Sequence, residues 1–190
     1  MRLMSIGILG GTFDPPHQAH CEISIRAIEQ YSLDKVLFIP SKNPWQKTVS
    51  TSYKDRYIMT NLLIEEYPSF EVSDVEAGNL QQTYTVDTLT KLSIPKNELF
   101  FILGADVAIK VSTWSRYQEL NKLTNFLIAP RNHIKDDTLQ NKFPFKYQLI
   151  TGEELDISST NIRNKFNEGA DMTQSVPESL LEYIVKNKIY

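Results

Sequence analysis

Short apolar runs alternate with longer amphipathic stretches along the chain. Residues 5–9, 35–39, 70–75, 99–103 and 125–129 read as strands, with 147–151 as a shorter sixth. Several are almost continuously apolar, such as Val36-Leu37-Phe38-Ile39 and Phe100-Phe101-Ile102-Leu103. Strands covered on both faces have that composition. Between them the apolar positions recur at helical spacing over residues 20–31, 53–67, 85–92, 107–121, 159–167 and 177–186. Strand alternating with helix predicts an α/β fold, a Rossmann-like, doubly wound and mainly parallel sheet with helices on both faces. Ligands of such folds bind at the carboxyl ends of the strands, near the switch in strand order. The loops that follow strands are therefore where chemistry is expected.

Length and composition narrow this further. The 190 residues suit one domain spanning 1–190, and 41% apolar residues can form a sizeable core. No repeat or low-complexity segment interrupts the pattern. A formal net charge of −3 gives no basic footprint for nucleic acid. Cys21 is alone, which excludes an internal disulfide and a cysteine-based zinc site and points to a reducing, cytoplasmic setting. There is no signal-peptide pattern, and no apolar run approaches the ~20 residues of a membrane-spanning helix.

The sharpest cluster follows the first strand: Gly10-Gly11-Thr12-Phe13-Asp14-Pro15-Pro16-His17-Gln18-Ala19-His20. Glycines let a backbone approach a ligand closely. Two histidines three apart at a helix start share a face with the amides of the helix N-terminus, an anion site. Two of the three histidines of the chain lie here. The loop lacks the Gly-Lys-Ser/Thr of a Walker A motif and the Gly-x-Gly-x-x-Gly of a dinucleotide fingerprint. A zinc site would need ligands that the neighbourhood does not offer. A Gly-Pro turn with two incidental surface histidines is the bland alternative for the His-x-x-His pair taken alone. The second cluster is Ile157-Ser158-Ser159-Thr160-Asn161-Ile162-Arg163. Its hydroxyls suit a helix N-cap, and Arg163 shares a face with Ser159 and can grip phosphate. By itself it reads as readily as an ordinary cap.

Together the two clusters resemble the paired signatures of the His-x-x-His nucleotidyltransferase superfamily. Tyr84-Thr85-Val86-Asp87-Thr88-Leu89, Leu103-Gly104-Ala105-Asp106, Trp114 and the ending Val176-Pro177…Tyr183-Ile184…Ile189-Tyr190 resemble the bacterial nicotinate-nucleotide adenylyltransferase branch. The resemblance covers nearly the whole chain. It implies adenylyl transfer from ATP to nicotinate mononucleotide, with Mg²⁺ accompanying ATP. It assigns Gly10, Gly11, Thr12, Phe13, His17, His20, Asp106, Ser158, Ser159, Thr160 and Arg163 to ATP, with His17, His20 and Arg163 catalytic. It assigns Gly11, Thr12, Lys42, Lys47, Thr85 and Trp114 to the mononucleotide, with Arg56 assisting. In this scheme Trp114 stacks on the pyridine, the Thr85 amide meets the nicotinate carboxylate and Asp106 takes ribose hydroxyls. No protein-built metal site is expected. The partners implied are the two nucleotides, not nucleic acid or membrane, and a homo-oligomer is compatible. The chain departs from the family pattern twice. Ala19 stands where the family usually has Gly, and Trp45-Gln46-Lys47 where it often has Pro-His-Lys. Preference for nicotinamide mononucleotide, a pantetheine-phosphate or cytidylyl transferase, and a nucleotide sensor without turnover are the competing readings. The Tyr-Thr-x-Asp-Thr-Leu and Gly-Ala-Asp segments disfavour the two other transferases, and retention of both histidines and Arg163 disfavours the sensor.

Overall fold

The computed structural model describes residues 3–45, 49 and 51–190. The six expected strands form one sheet: β1 (Ile6–Gly11), β2 (Lys35–Pro40), β3 (Phe70–Val72), β4 (Leu99–Gly104), β5 (Asn125–Ala129) and β6 (Gln148–Leu149). Their order is β3-β2-β1-β4-β5-β6, and each neighbouring pair is parallel. The order reverses between β1 and β4. Gly10 and Gly11 end one of these strands and Gly104 the other, so the switch point, where ligands of such folds bind, lies between them.

Strand residues alternate between the two faces, as a two-residue period requires. On one face Leu9, Val36, Phe38, Ile102 and Leu127 pack under helices α1 (Gln18–Tyr31), α2 (Tyr53–Ile64), α7 (Ser159–Asn167) and α8 (Glu178–Asn187). On the other, Ile8, Leu37, Ile39, Phe101, Leu103 and Ile128 pack under α3 (Thr85–Leu92), α4 (Ala105–Ala108), α5 (Tyr117–Leu123) and α6 (Asp136–Lys142). The two faces of each central strand are both buried, which explains the unbroken apolar runs.

Four expectations need correction: the helix expected over 53–67 stops at Ile64, the strand expected over 147–151 covers only Gln148–Leu149, and two more elements differ. The helix predicted over 107–121 is broken into α4, a 3-10 turn at Val111–Thr113 and α5. The break bends the chain so that the Trp114 ring meets Phe101 edge-on, with centroids 6.2 Å apart. It also puts Arg116 in the left-handed region (φ 54°), where its guanidinium pairs with Asp87 of α3 at 2.6 Å. Tertiary contacts outweigh the helical period there. The third strand stops at Val72 rather than 75, because the chain turns at Asp74, whose carbonyl accepts from the Ala77 amide at 2.7 Å. Helix α6 carries Leu139 as its one buried residue, too weak a pattern to read beforehand.

Candidate functional site

The site begins where β1 meets α1. Gly10 is exposed at the strand end, and a Cβ there would meet only ordinary contacts, the nearest at 3.7 Å. Packing does not require glycine at this position, whereas a ligand lying on the backbone would. Gly11 differs: a Cβ would press within 3.1 Å of the Phe13 ring. Phe13 takes a left-handed backbone (φ 52°) that drives its ring into the core, edge-on to His20 at 5.0 Å. The residue is only 2% exposed, so the Phe13 ring supports His20 and the Phe13 backbone is what remains for a ligand.

His17 is the N-cap of α1, and its amide donates to Nδ1 of His20 at 3.1 Å. A neutral His20 therefore carries its proton on Nε2. The two rings lie 3.8 Å apart, the shared face expected from their spacing. His17 is buried, and Nδ1 of its ring has no hydrogen-bond partner among the described residues. Burial, with the nearby Arg131 charge second, pulls its pKa from 6.5 down to about 4. It is neutral at pH 7.

Helix α7 reaches this loop from the far end of the chain. Arg163 donates from Nη1 to the Asp14 carbonyl at 2.6 Å and from Nη2 to Thr160 Oγ1 at 3.3 Å. Ser159 donates to the Pro15 carbonyl at 2.8 Å. The Ser158 hydroxyl accepts from the Asn161 amide at 3.2 Å as the α7 N-cap. The two sequence clusters thus form one structure. Their hydroxyls fasten it together, and the first amides of α7, which lack intrahelical acceptors, remain for an anion. Asp14 itself is buried and accepts from the Tyr190 hydroxyl at 2.8 Å.

Beyond β4, Asp106 lies in the first turn of α4, and Arg131 pairs with it at 3.3 Å and with Glu154 at 2.9 Å. A Cβ on Gly104 would stand 2.6 Å from Asp106 Oδ1, so this turn admits only glycine without displacing Asp106. Ala19 lines a cavity of about 20 Å³ with Ile23, Ala129, Arg131, Ile150 and Leu155. That holds little more than one water. Arg131 and Glu154 escape sequence reading, because single charged residues in loops look like solvated surface.

On the other side of β1, a cleft of about 430 Å³ is lined by Lys42, Asn43, Thr51, Tyr53, Arg56 and Gln82. Arg56 is buried and donates to three carbonyls, of Thr12 (2.6 Å), Thr51 (3.2 Å) and Lys42 (3.3 Å). Lys42 Nζ donates to the Ala77 carbonyl. Thr85 opens α3, and Trp114 lies half-buried in the core cluster that anchors that helix, its indole N–H without a hydrogen-bond partner among the described residues. Lys47 and Gln46 lie outside the described residues. Glu76, buried among these groups, is a further residue that the sequence does not single out.

The β1 loop with its paired imidazoles is thus fastened to a hydroxyl- and arginine-bearing helix at the switch point of a parallel sheet. Residues 8–165 match the cytidylyltransferase-like family. The chain is 37% identical over 188 residues to a protein named probable nicotinate-nucleotide adenylyltransferase in Leifsonia xyli, covering 97% of this chain and 93% of that one. A protein of the same name in Thermoanaerobacter sp. is 37% identical, covering 100% and 95%. The structure of Plasmodium falciparum nicotinic acid mononucleotide adenylyltransferase complexed with NaAD superposes with a TM-score of 0.83 at 24% identity, over 98% of this chain and 97% of that one. The chain belongs to the nicotinate-nucleotide adenylyltransferase family.

Proposed function

We propose that this enzyme transfers the adenylyl group of ATP to nicotinate mononucleotide, giving nicotinate adenine dinucleotide and pyrophosphate. The observation that carries this is the fastening of α7 onto the His17/His20 loop through Arg163 and Ser159. It sets the start of α7 beside the paired imidazoles at the switch point, as a departing pyrophosphate and an α-phosphate require.

The mononucleotide phosphate is already an anion and attacks the α-phosphorus without a general base. Catalysis is then positioning and charge stabilisation. His20 offers its Nε2 proton, and neutral His17 acts as a hydrogen-bonding group rather than as a cation. Gly10 and Gly11 give the α-phosphate access to the backbone. The amides of Ser159 and Thr160, with Arg163, receive the pyrophosphate. Asp106 accepts from ribose hydroxyls once Arg131 gives way. The Thr85 amide takes the nicotinate carboxylate beside Trp114, and Lys42, Lys47 and Arg56 supply positive charge for the mononucleotide phosphate.

Mg²⁺ comes with ATP. Among the described residues no group of three or more His, Cys, Asp or Glu side chains is placed to hold a metal ion. Held by the phosphate oxygens of ATP, it would neutralise part of their charge. A cytosolic setting fits the proposal, and Cys21 is buried and unpaired. Among the described residues no helix is long and apolar enough to cross a membrane.

The test is pyrophosphate release from Mg-ATP with nicotinate or nicotinamide mononucleotide, His20→Ala being the control. Release with the acid form is expected, and His20→Ala should lower kcat by about 10²-fold with little change in melting temperature. Wild-type protein that binds ATP and releases no pyrophosphate with either acceptor would refute the proposal. A variant with wild-type kcat would remove His20 from the mechanism.

A further inference from the structure

The geometry points to Glu76 as a positioning residue for the acceptor mononucleotide. This assignment depends on nicotinate mononucleotide being the acceptor. Glu76 sits in the turn after β3, only 5% exposed, where a carboxylate is costly to bury unless its oxygens are engaged. Both are. Oε1 accepts from the Thr88 hydroxyl of α3 at 2.7 Å, and Oε2 accepts from the Lys42 amide after β2 at 3.0 Å.

The Lys42 peptide is held on its other side too, since its carbonyl accepts from Arg56, which also donates to Thr12 in the phosphate loop. A continuous line of buried and part-buried bonds thus runs Thr88–Glu76–Lys42–Arg56–Thr12. It joins the helix start that meets the pyridine end to the loop where the mononucleotide phosphate attacks. Neighbouring bonds run in parallel: Asn43 donates to the Gln81 carbonyl at 3.0 Å and accepts from the Thr83 amide at 3.1 Å. The line involves neither α7 nor Asp106, which serve ATP alone, and reaches the loop shared by both substrates only at the Thr12 carbonyl. Glu76 therefore sets the distance between the two ends of the acceptor and bears on ATP far less.

Steady-state kinetics of Glu76→Ala, Glu76→Gln and Thr88→Val test this with Mg-ATP and nicotinate mononucleotide. Glu76→Ala should raise KM for the mononucleotide about tenfold or more, with KM for ATP within about twofold and kcat little changed. Glu76→Gln can turn its carbonyl to the Lys42 amide and its amino group to Thr88 Oγ1, and should recover to within about threefold of wild type. Thr88→Val, which keeps its shape and loses the donor, should raise the same KM several-fold. It decides the matter with Glu76→Gln if the alanine variant does not fold. An unmoved mononucleotide KM, a parallel rise in both KM values, or a glutamine variant as impaired as alanine would overturn the role of Glu76. Wild-type turnover in the same assay keeps that failure separate from failure of the proposed reaction.

Discussion

His17 shows what burial does to one ionisable group. Its pKa of about 4, against 6.5 when solvated, means that the folded chain binds its proton less tightly than the unfolded chain. Above about pH 6.5 both forms are neutral and its contribution to stability is complete. As pH falls the unfolded chain is protonated first, and the contribution is lost between about 6.5 and 4. The gap corresponds to about 3 kcal/mol at most. Urea denaturation of wild type and His17→Asn at steps from pH 7 to 4 should show a shallower loss in the variant. Equal slopes would place the pH sensitivity elsewhere. His17, His20 and Arg163 stand out in sequence by their type and spacing, and the structure brings all three to the β1–α1 loop. Glu76, Arg131 and Glu154 do not stand out. Each takes its meaning from partners distant in sequence, 34 residues for Glu76 and Lys42 and 25 for Arg131 and Asp106.

Among elements, α3 and α7 begin and end where their sequence signals place them, because Thr85 and Ser158 mark sharp starts. Strands β1, β2, β4 and β5 read correctly for a related reason: burial on both faces keeps polar residues out of their middle positions, Lys35 and Asn125 standing only at the ends. The failures lie where local pattern yields to packing, in the α4–α5 bend around Trp114 and in the nearly polar α6. Helix α7 offers a direct test. Ser158→Ala removes its cap and should cost about 1 kcal/mol in equilibrium denaturation. Unchanged stability would mean that the docking of Arg163 and Ser159, rather than the cap, fixes the start of the helix.

For the whole molecule, one sheet carries two hydrophobic layers, and β5 serves both. Leu127 is fully buried on the α1/α7 side and Ile128 on the α6 side. Leu127→Ala should cost 2–5 kcal/mol, seen as a lower urea midpoint, while kcat measured well below the melting temperature stays close to wild type. A large fall in kcat with an unmoved midpoint would show that the sheet interior takes part in positioning the site.

The loop between β1 and α1 is tied down by Ser159, Arg163 and Tyr190, residues 144, 149 and 176 positions away from their partners. A ribosome therefore releases the strands of the sheet long before it releases the groups that shape their first loop. A nascent chain that has already paired β1 with β2 and β4 still lacks its clamp, and adenylyl transfer begins only when the last helices have emerged and docked.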